Sequence, residues 1–199
     1  ESMRITKRAR KLLRRARRYA FGALEVKYPG FSAEYNTEPE KALLRVGKGD
    51  VSLLYWMAAA WGSLISASKD DPAAIIELPN VGYLLERALA LDETYDSGAL
   101  PELMFSYTLS RPGAGSGAEA EALSHYERAL ELSRGRRASL LVSYAESISV
   151  SRQDKEQFFS LLDRALAIDV DEDPSSRLAN ILAQDRALWL KERVDELFF

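Results

Sequence analysis

His125 is the only histidine and cysteine is absent. A transition-metal site therefore lacks ligands, and thiol nucleophiles and disulfides are excluded. Ser124 adjoins His125, but neighbours on a helix point apart, so no catalytic pair follows. Carboxylates are plentiful, yet none occupies the paired apolar setting of a glycosidase. Asp169, Asp171 and Asp173 match the first three ligand places of a calcium loop. The sixth place is Pro174 rather than Gly and the twelfth is Asn180 rather than Glu, so that reading fails. Asp173-Pro174 fits an N-cap followed by Pro at the first helical position. Gly47-Lys48 lacks the preceding glycine and strand of a phosphate loop, and the glycine-rich run Arg111 to Gly117 lacks the Lys-Ser/Thr ending. The chain reads as a non-enzyme, with no metal and no cofactor.

The elements that carry these residues repeat. Leu84 to Asp92 reads LLERALALD, Tyr126 to Ser133 reads YERALELS, and Leu162 to Asp169 reads LDRALAID. Aligned on Arg87, Arg128 and Arg164, the copies lie 41 and 36 residues apart, the range of two-helix solenoid repeats. Leu85, Ala88 and Leu89 fall at i, i+3 and i+4, as do Tyr126, Ala129 and Leu130, and Leu162, Ala165 and Leu166. Each set is one helix face. Its central Ala permits close approach of a neighbour, while the acid-Arg pair is expected on a solvated outer face. The blocks resemble the second helix of a tetratricopeptide repeat, without the Pro that usually follows the turn. The expected fold is all-α: an α-α superhelix of degenerate tetratricopeptide-like helix pairs, with extra N-terminal helices and a C-terminal capping helix. Residues 1–49 form the N-terminal helices. Residues 50–199 form the repeat domain, with pairs near 50–92, 96–133 and 137–169 and a cap over 174–198.

A chain of 199 residues with 47% hydrophobic content has material for a sizeable core, and no apolar run approaches the ~18 residues of a membrane span. The net charge of −3 conceals an asymmetry, since residues 1–27 carry +8 and the remainder −11. Arg4 to Lys27 reads as a long helix with an apolar stripe of Ile5, Ala9, Leu12, Ala16, Ala20 and Ala23/Leu24. Its cations suit acidic neighbours or an anionic membrane surface. Nucleic acid is disfavoured by the absence of a base-reading motif and by the acidic remainder.

Thr37 and Glu40 stand at capping-box spacing, and Asp50 precedes the most hydrophobic helix, VSLLYWMAAAWGSLISAS. Leu53, Leu54, Met57, Ala58, Trp61 and Leu64/Ile65 cover much of that helix, so it is expected to be buried on two sides. Tyr55, Trp56 and Trp61 are either core or the lining of an apolar ligand channel. Leu103 to Ser110 and Ala138 to Val150 are further helices. The final helix carries Leu178, Ile181, Leu182, Leu188 and Trp189.

Three stretches resemble the T component of TRAP-type transporter systems, the family called TatT. They are Leu54-Tyr55-Trp56 through Trp61-Gly62; Leu85-Glu86-Arg87-Ala88-Leu89 to Tyr95-Asp96-Ser97-Gly98; and Arg177-Leu178-Ala179-Asn180 with Ala183-Gln184 and Arg186-Ala187. The turn Tyr28-Pro29-Gly30-Phe31 fits as well. The resemblance implies a periplasmic lipoprotein, a homotrimer, that associates with the system's substrate-binding protein and handles a small hydrophobic or carboxylate-bearing ligand. The lipid-bearing Cys would precede Glu1. Under this reading the candidate ligand- or partner-binding residues are Tyr55, Trp56, Trp61, Tyr107, Tyr144, Asn180 and Arg186. Arg186 fits either a ligand carboxylate or a salt bridge within the cap. The alternative is a general peptide-binding tetratricopeptide scaffold or co-chaperone, which usually needs a basic clamp that these helices largely lack.

Overall fold

The repeat blocks turn their small and bulky apolar residues inward: Leu85, Ala88, Ala129, Leu162 and Ala165 are fully buried. In the computed structural model, which describes residues 2–111 and 117–199, every regular element is helical. Most of the glycine-rich run, residues 112–116, lies outside the described residues. The elements are α1 (Ser2–Lys27), α2 (Phe31–Thr37), α3 (Pro39–Leu44), α4 (Val51–Ser66), α5 (Pro72–Ile76) and α6 (Leu78–Asp92). They continue with α7 (Ala99–Ser110), α8 (Ala118–Ser133), α9 (Ala138–Tyr144), α10 (Lys155–Leu166), α11 (Arg177–Glu192) and α12 (Val194–Leu197). α9 runs on through a wider π turn over Ala145–Ser149.

Neighbours in sequence are neighbours in space. α1 lies on α4, α4 pairs with α6, α7 with α8 and α9 with α10, and α11 packs on both α9 and α10. The apolar interior falls into two clusters. One is built from α1 to α7 around Phe31, Tyr35, Leu54 and Leu84, the other from α7 to α12 around Phe105, Leu141, Phe158 and Leu162. α7 separates them, giving Leu100 and Met104 to the first and Phe105 to the second. A helix used on both sides carries apolar residues around most of its circumference, as Ala99-Leu100-Pro101 and Met104-Phe105 do.

Several local expectations are corrected. The inward face of α1 carries Leu13, Arg17, Ala20 and Leu24, whereas Ile5 and Leu12 stand 61% and 55% exposed. The stripe is rotated because Arg10 and Arg17 turn inward: Arg10 Nε donates to the Ala67 carbonyl and its guanidinium pairs with Asp70, while Arg17 pairs with Glu77. Thr37 is the last residue of α2 and its hydroxyl donates to the Glu34 carbonyl, so no capping box forms there. The Asp50 carboxylate does not cap α4 but accepts from Lys27 Nζ at 2.7 Å and from the Tyr28 hydroxyl at 2.6 Å. Asp173 accepts from the Ser175 amide in a turn just ahead of α11 rather than capping the helix itself.

Two of the three repeat arginines are also not free on the outer face. Arg87 donates to the Val46 carbonyl at 2.7 Å, closing the end of α3, and Arg128 reaches Glu93 at 2.7 Å across the following turn. Each ties a repeat helix to a preceding connection. Between α6 and α7 the chain reverses through Asp96, Ser97 and Gly98, all with positive φ. Gly98 is required there because a Cβ would press on the Ala129 carbonyl oxygen at 3.1 Å, and a left-handed φ strains any other residue.

Candidate functional site

Small residues on α4 and α7 leave a space between them. A partly open cavity of about 410 Å³ lies among α4, α5, α6 and α7. Its walls are Ala59, Gly62 and Ile65 of α4, Ile75 of α5, Leu78 and Val81 of α6, and Leu103 and Tyr107 of α7. Ser63 and Ser66 add hydroxyls from α4, and Ser106 and Ser110 from α7. Among the described residues, Lys69 is the one charged lining residue. Such a lining, apolar with a few polar groups and a single cation, suits a small apolar molecule bearing an acidic or polar end.

Tyr107 forms a wall with the hydroxyl end of its ring set against Gly82 of α6. Gly82 is buried beneath it, and a Cβ there would come to 2.6 Å from the ring's Cζ and closer still to the hydroxyl oxygen. The absence of a side chain at Gly82 is what admits the ring. Burial, then the nearby Glu86 carboxylate, pushes the Tyr107 hydroxyl above the usual phenol range, so it is neutral at any physiological pH. In that form it can both donate and accept a hydrogen bond.

Of the seven residues expected at a site, only Tyr107 lines this cavity. Trp61 is buried behind it on the other side of α4. Its Nε1 donates to Glu77 at 2.8 Å and the Arg17 guanidinium lies 4.6 Å from its ring. Tyr55 packs against Trp56 and Tyr95 with centroids 5.2 and 5.4 Å apart. Burial, with the Glu102 charge next, pushes its hydroxyl up to about 12. Trp56 beside it is 64% exposed. Tyr144 is buried in the second cluster, 4.6 Å from Tyr126. Asn180 is buried where α11 meets α9: its side chain accepts from the Ala138 amide and donates to the Arg136 carbonyl, both at 3.0 Å. Arg186 pairs with Glu146 and stacks on Trp189 at 4.0 Å.

The residues that sequence reasoning missed are Ser63, Ser66, Lys69, Ser106 and Ser110. A signal was there, since Ser63 and Ser66 stand three apart and Ser106 and Ser110 four apart on otherwise apolar helices. Such spacings put small polar groups on one helix face.

A second surface lies on α11. Leu178, Leu182 and Trp189 are 70%, 60% and 40% exposed on the side opposite the buried Asn180, Ala183, Ala187 and Leu190. Arg186 and Arg193 both stack on Trp189, at 4.0 and 4.2 Å. Leu178, Leu182 and Trp189 thus form an exposed apolar stripe along α11.

The chain matches, over residues 1–198, a family model described as TRAP transporter T-component. It is 31% identical over 195 residues to an uncharacterized protein of Treponema pallidum (strain Nichols), an alignment covering 96% of this chain. The chain spans 60% of that relative's length. No helix among the described residues is long and apolar enough to cross a membrane.

Proposed function

The chain belongs to the TRAP transporter T-component family, an accessory rather than an enzyme family, and from that premise we propose that it docks the system's periplasmic substrate-binding protein and shelters a small hydrophobic or carboxylate-bearing ligand. The observation that carries the reading is the cavity between α4 and α7, lined by apolar walls, four serines and Lys69. A carboxylate is met by the lysine and the hydroxyls, and the carbon skeleton lies against Leu78, Val81 and Leu103. Tyr107 positions the ligand within it.

In this reading the partner covers the outer face of α11. Trp and Arg dominate binding energy at protein interfaces, and Trp189 with Arg186 and Arg193 stacked on it offers both types in one patch. Trp56, 64% exposed on α4 and backed by Tyr55, is a separate contact point. Trp61, Tyr144 and Asn180 hold the scaffold, a tetratricopeptide-like superhelix. The protein works in the periplasm, lipid-anchored and trimeric. The peptide-clamp alternative is weakened by charge, since Arg128, Arg136 and Arg137 are already paired with Glu93, Glu172 and Glu102.

Light-scattering mass analysis of the protein mixed with the substrate-binding protein encoded beside it tests the docking. A defined complex is expected, lost in Trp189→Ala with Leu182→Ala; no complex at any concentration refutes it. Titration with dodecanoate tests the cavity, with affinity expected to fall at least tenfold in Lys69→Ala. Equal binding by the variant and the parent protein removes the cavity from the reading.

A further inference from the structure

The outward side of α1 is divided lengthwise. Ile5, Leu12, Tyr19 and Val26, seven residues apart, are 61, 55, 58 and 85% exposed. A seven-residue repeat keeps side chains on one line of a helix, and the exposed Ala16 and Ala23 continue it. Nine Arg/Lys lie between Arg4 and Arg18. Arg10 and Arg17 turn inward to Asp70 and Glu77. The other seven are exposed, and among the described residues none makes an ion pair. At 100° per residue, the turn set by ~3.6 residues per helical turn, these seven occupy the sector beside the apolar stripe.

Neither half of this face is accounted for by the fold. Like charges three and four residues apart, as in Lys7, Lys11, Arg14 and Arg18, destabilise a helix. Four large apolar side chains in a row on an end helix leave contiguous apolar surface in water. The rest of the chain carries −11, so a broad anionic surface is approached by this edge alone. A second α1 is repelled by seven like charges. A folded acidic partner would have to set a carboxylate opposite each cation, whereas lipid headgroups diffuse to wherever the cations stand. Tyr19, whose hydroxyl accepts from Arg15 Nε and Nη2 at 3.1 and 3.0 Å, is the amphipathic ring type enriched at the level of headgroups.

We propose that α1 lies flat on an anionic lipid surface, its Ile5–Leu12–Tyr19–Val26 stripe entering the headgroup–acyl boundary and its seven unpaired cations engaging the headgroups. The helix, about 39 Å long at ~1.5 Å per residue, then sets the orientation of the whole stack on the membrane. This contact is independent of the cavity and of the α11 face.

The test is flotation of the protein with vesicles of phosphatidylcholine alone and with vesicles also containing phosphatidylglycerol. Two variants change only exposed positions: Lys11→Gln with Arg14→Gln, Arg15→Gln and Arg18→Gln, and Leu12→Ser with Tyr19→Ser. Far-UV circular dichroism establishes that both keep the parent's helix content. The parent is expected to float with the anionic vesicles and to be released by salt. Each cation near an anionic surface contributes roughly fivefold, so the charge variant should bind more than a hundredfold more weakly. The apolar variant should lose at least tenfold. A parent that ignores anionic vesicles overturns the proposal, as does a charge variant that binds like the parent. Unchanged binding by the apolar variant also overturns it, because a purely electrostatic contact is what any polyanion or acidic protein would give.

Discussion

Gly82 and Tyr107 provide the most direct probe of how the cavity is built. In Gly82→Ala the new methyl group stands 2.6 Å from Cζ and 3.1 Å from Cε1 of the Tyr107 ring. Both are inside van der Waals contact, so the ring must leave α6. Tyr107 also lines the cavity, so the displaced ring is expected to move into that space. Two energies oppose each other. Gly82 lies in α6 with no positive φ, so Ala there gains about 1 kcal/mol of helix propensity. Overpacking costs about 1–3 kcal/mol, leaving a net loss of about 0–2 kcal/mol. With Tyr107→Leu in the background the obstacle is gone, and the same change should stabilise by about 1 kcal/mol.

The assay is urea unfolding of the parent, the two single variants and the double variant. The coupling energy from this cycle is expected at about 1–3 kcal/mol. A coupling under about 0.5 kcal/mol, the scatter of independent sites, would refute the claim that the ring rests on Gly82. A second readout separates packing from function: dodecanoate binding should weaken in Gly82→Ala, because the displaced ring enters the same space.

Three further outcomes follow from the packing. Trp61 is buried with its Nε1 bonded to Glu77 while Trp56 is 64% exposed, so chemical denaturation should show a loss of about 3–5 kcal/mol for Trp61→Ala and under about 0.5 for Trp56→Ala. Arg137 meets Glu102 at 2.5 Å with side chains only 11% and 13% exposed. Arg137→Ala strands a nearly buried carboxylate and should cost about 3–5 kcal/mol in the same measurement; a cost below about 1 kcal/mol would mean the pair is solvated. Asp50 gives a pH test. Burial acts to raise its pKa, but the hydrogen bonds from Lys27 and Tyr28 outweigh it and hold the carboxyl below its ordinary value. A folded pKa below the unfolded one means that the stabilisation is complete above about pH 4 and is lost as pH falls through the folded pKa. Asp50→Asn should therefore lower stability at neutral pH by about 1–2 kcal/mol and flatten the acid limb of the stability curve. An acid limb of unchanged slope would exclude the Asp50 cluster as its source.

How much could be read in advance depended on whether the deciding information was local. Ala88, Ala129 and Ala165 were legible as close helix contacts because an alanine between bulky neighbours has one main use at that spacing, and all three are fully buried. The face of α1 was not legible to within one residue. Leu12 and Leu13 are adjacent, and either can head an apolar stripe. The choice fell to Asp70 and Glu77, 60 residues away, which draw Arg10 and Arg17 inward and turn the helix. The same holds for the cavity. Tyr107 is legible as an aromatic ring on an apolar helix, and the serines around it share helix faces by their spacing, but nothing local says which helix those faces meet. Ser63 and Ser106, 43 residues apart, acquire meaning only when their helices are set side by side, with Gly82 admitting the Tyr107 ring. Trp61 and Trp56 make the complementary point. Both belong to one aromatic helix, yet five residues of rotation send one to the interior and the other to water, and an all-round apolar pattern holds no phase by which to tell them apart.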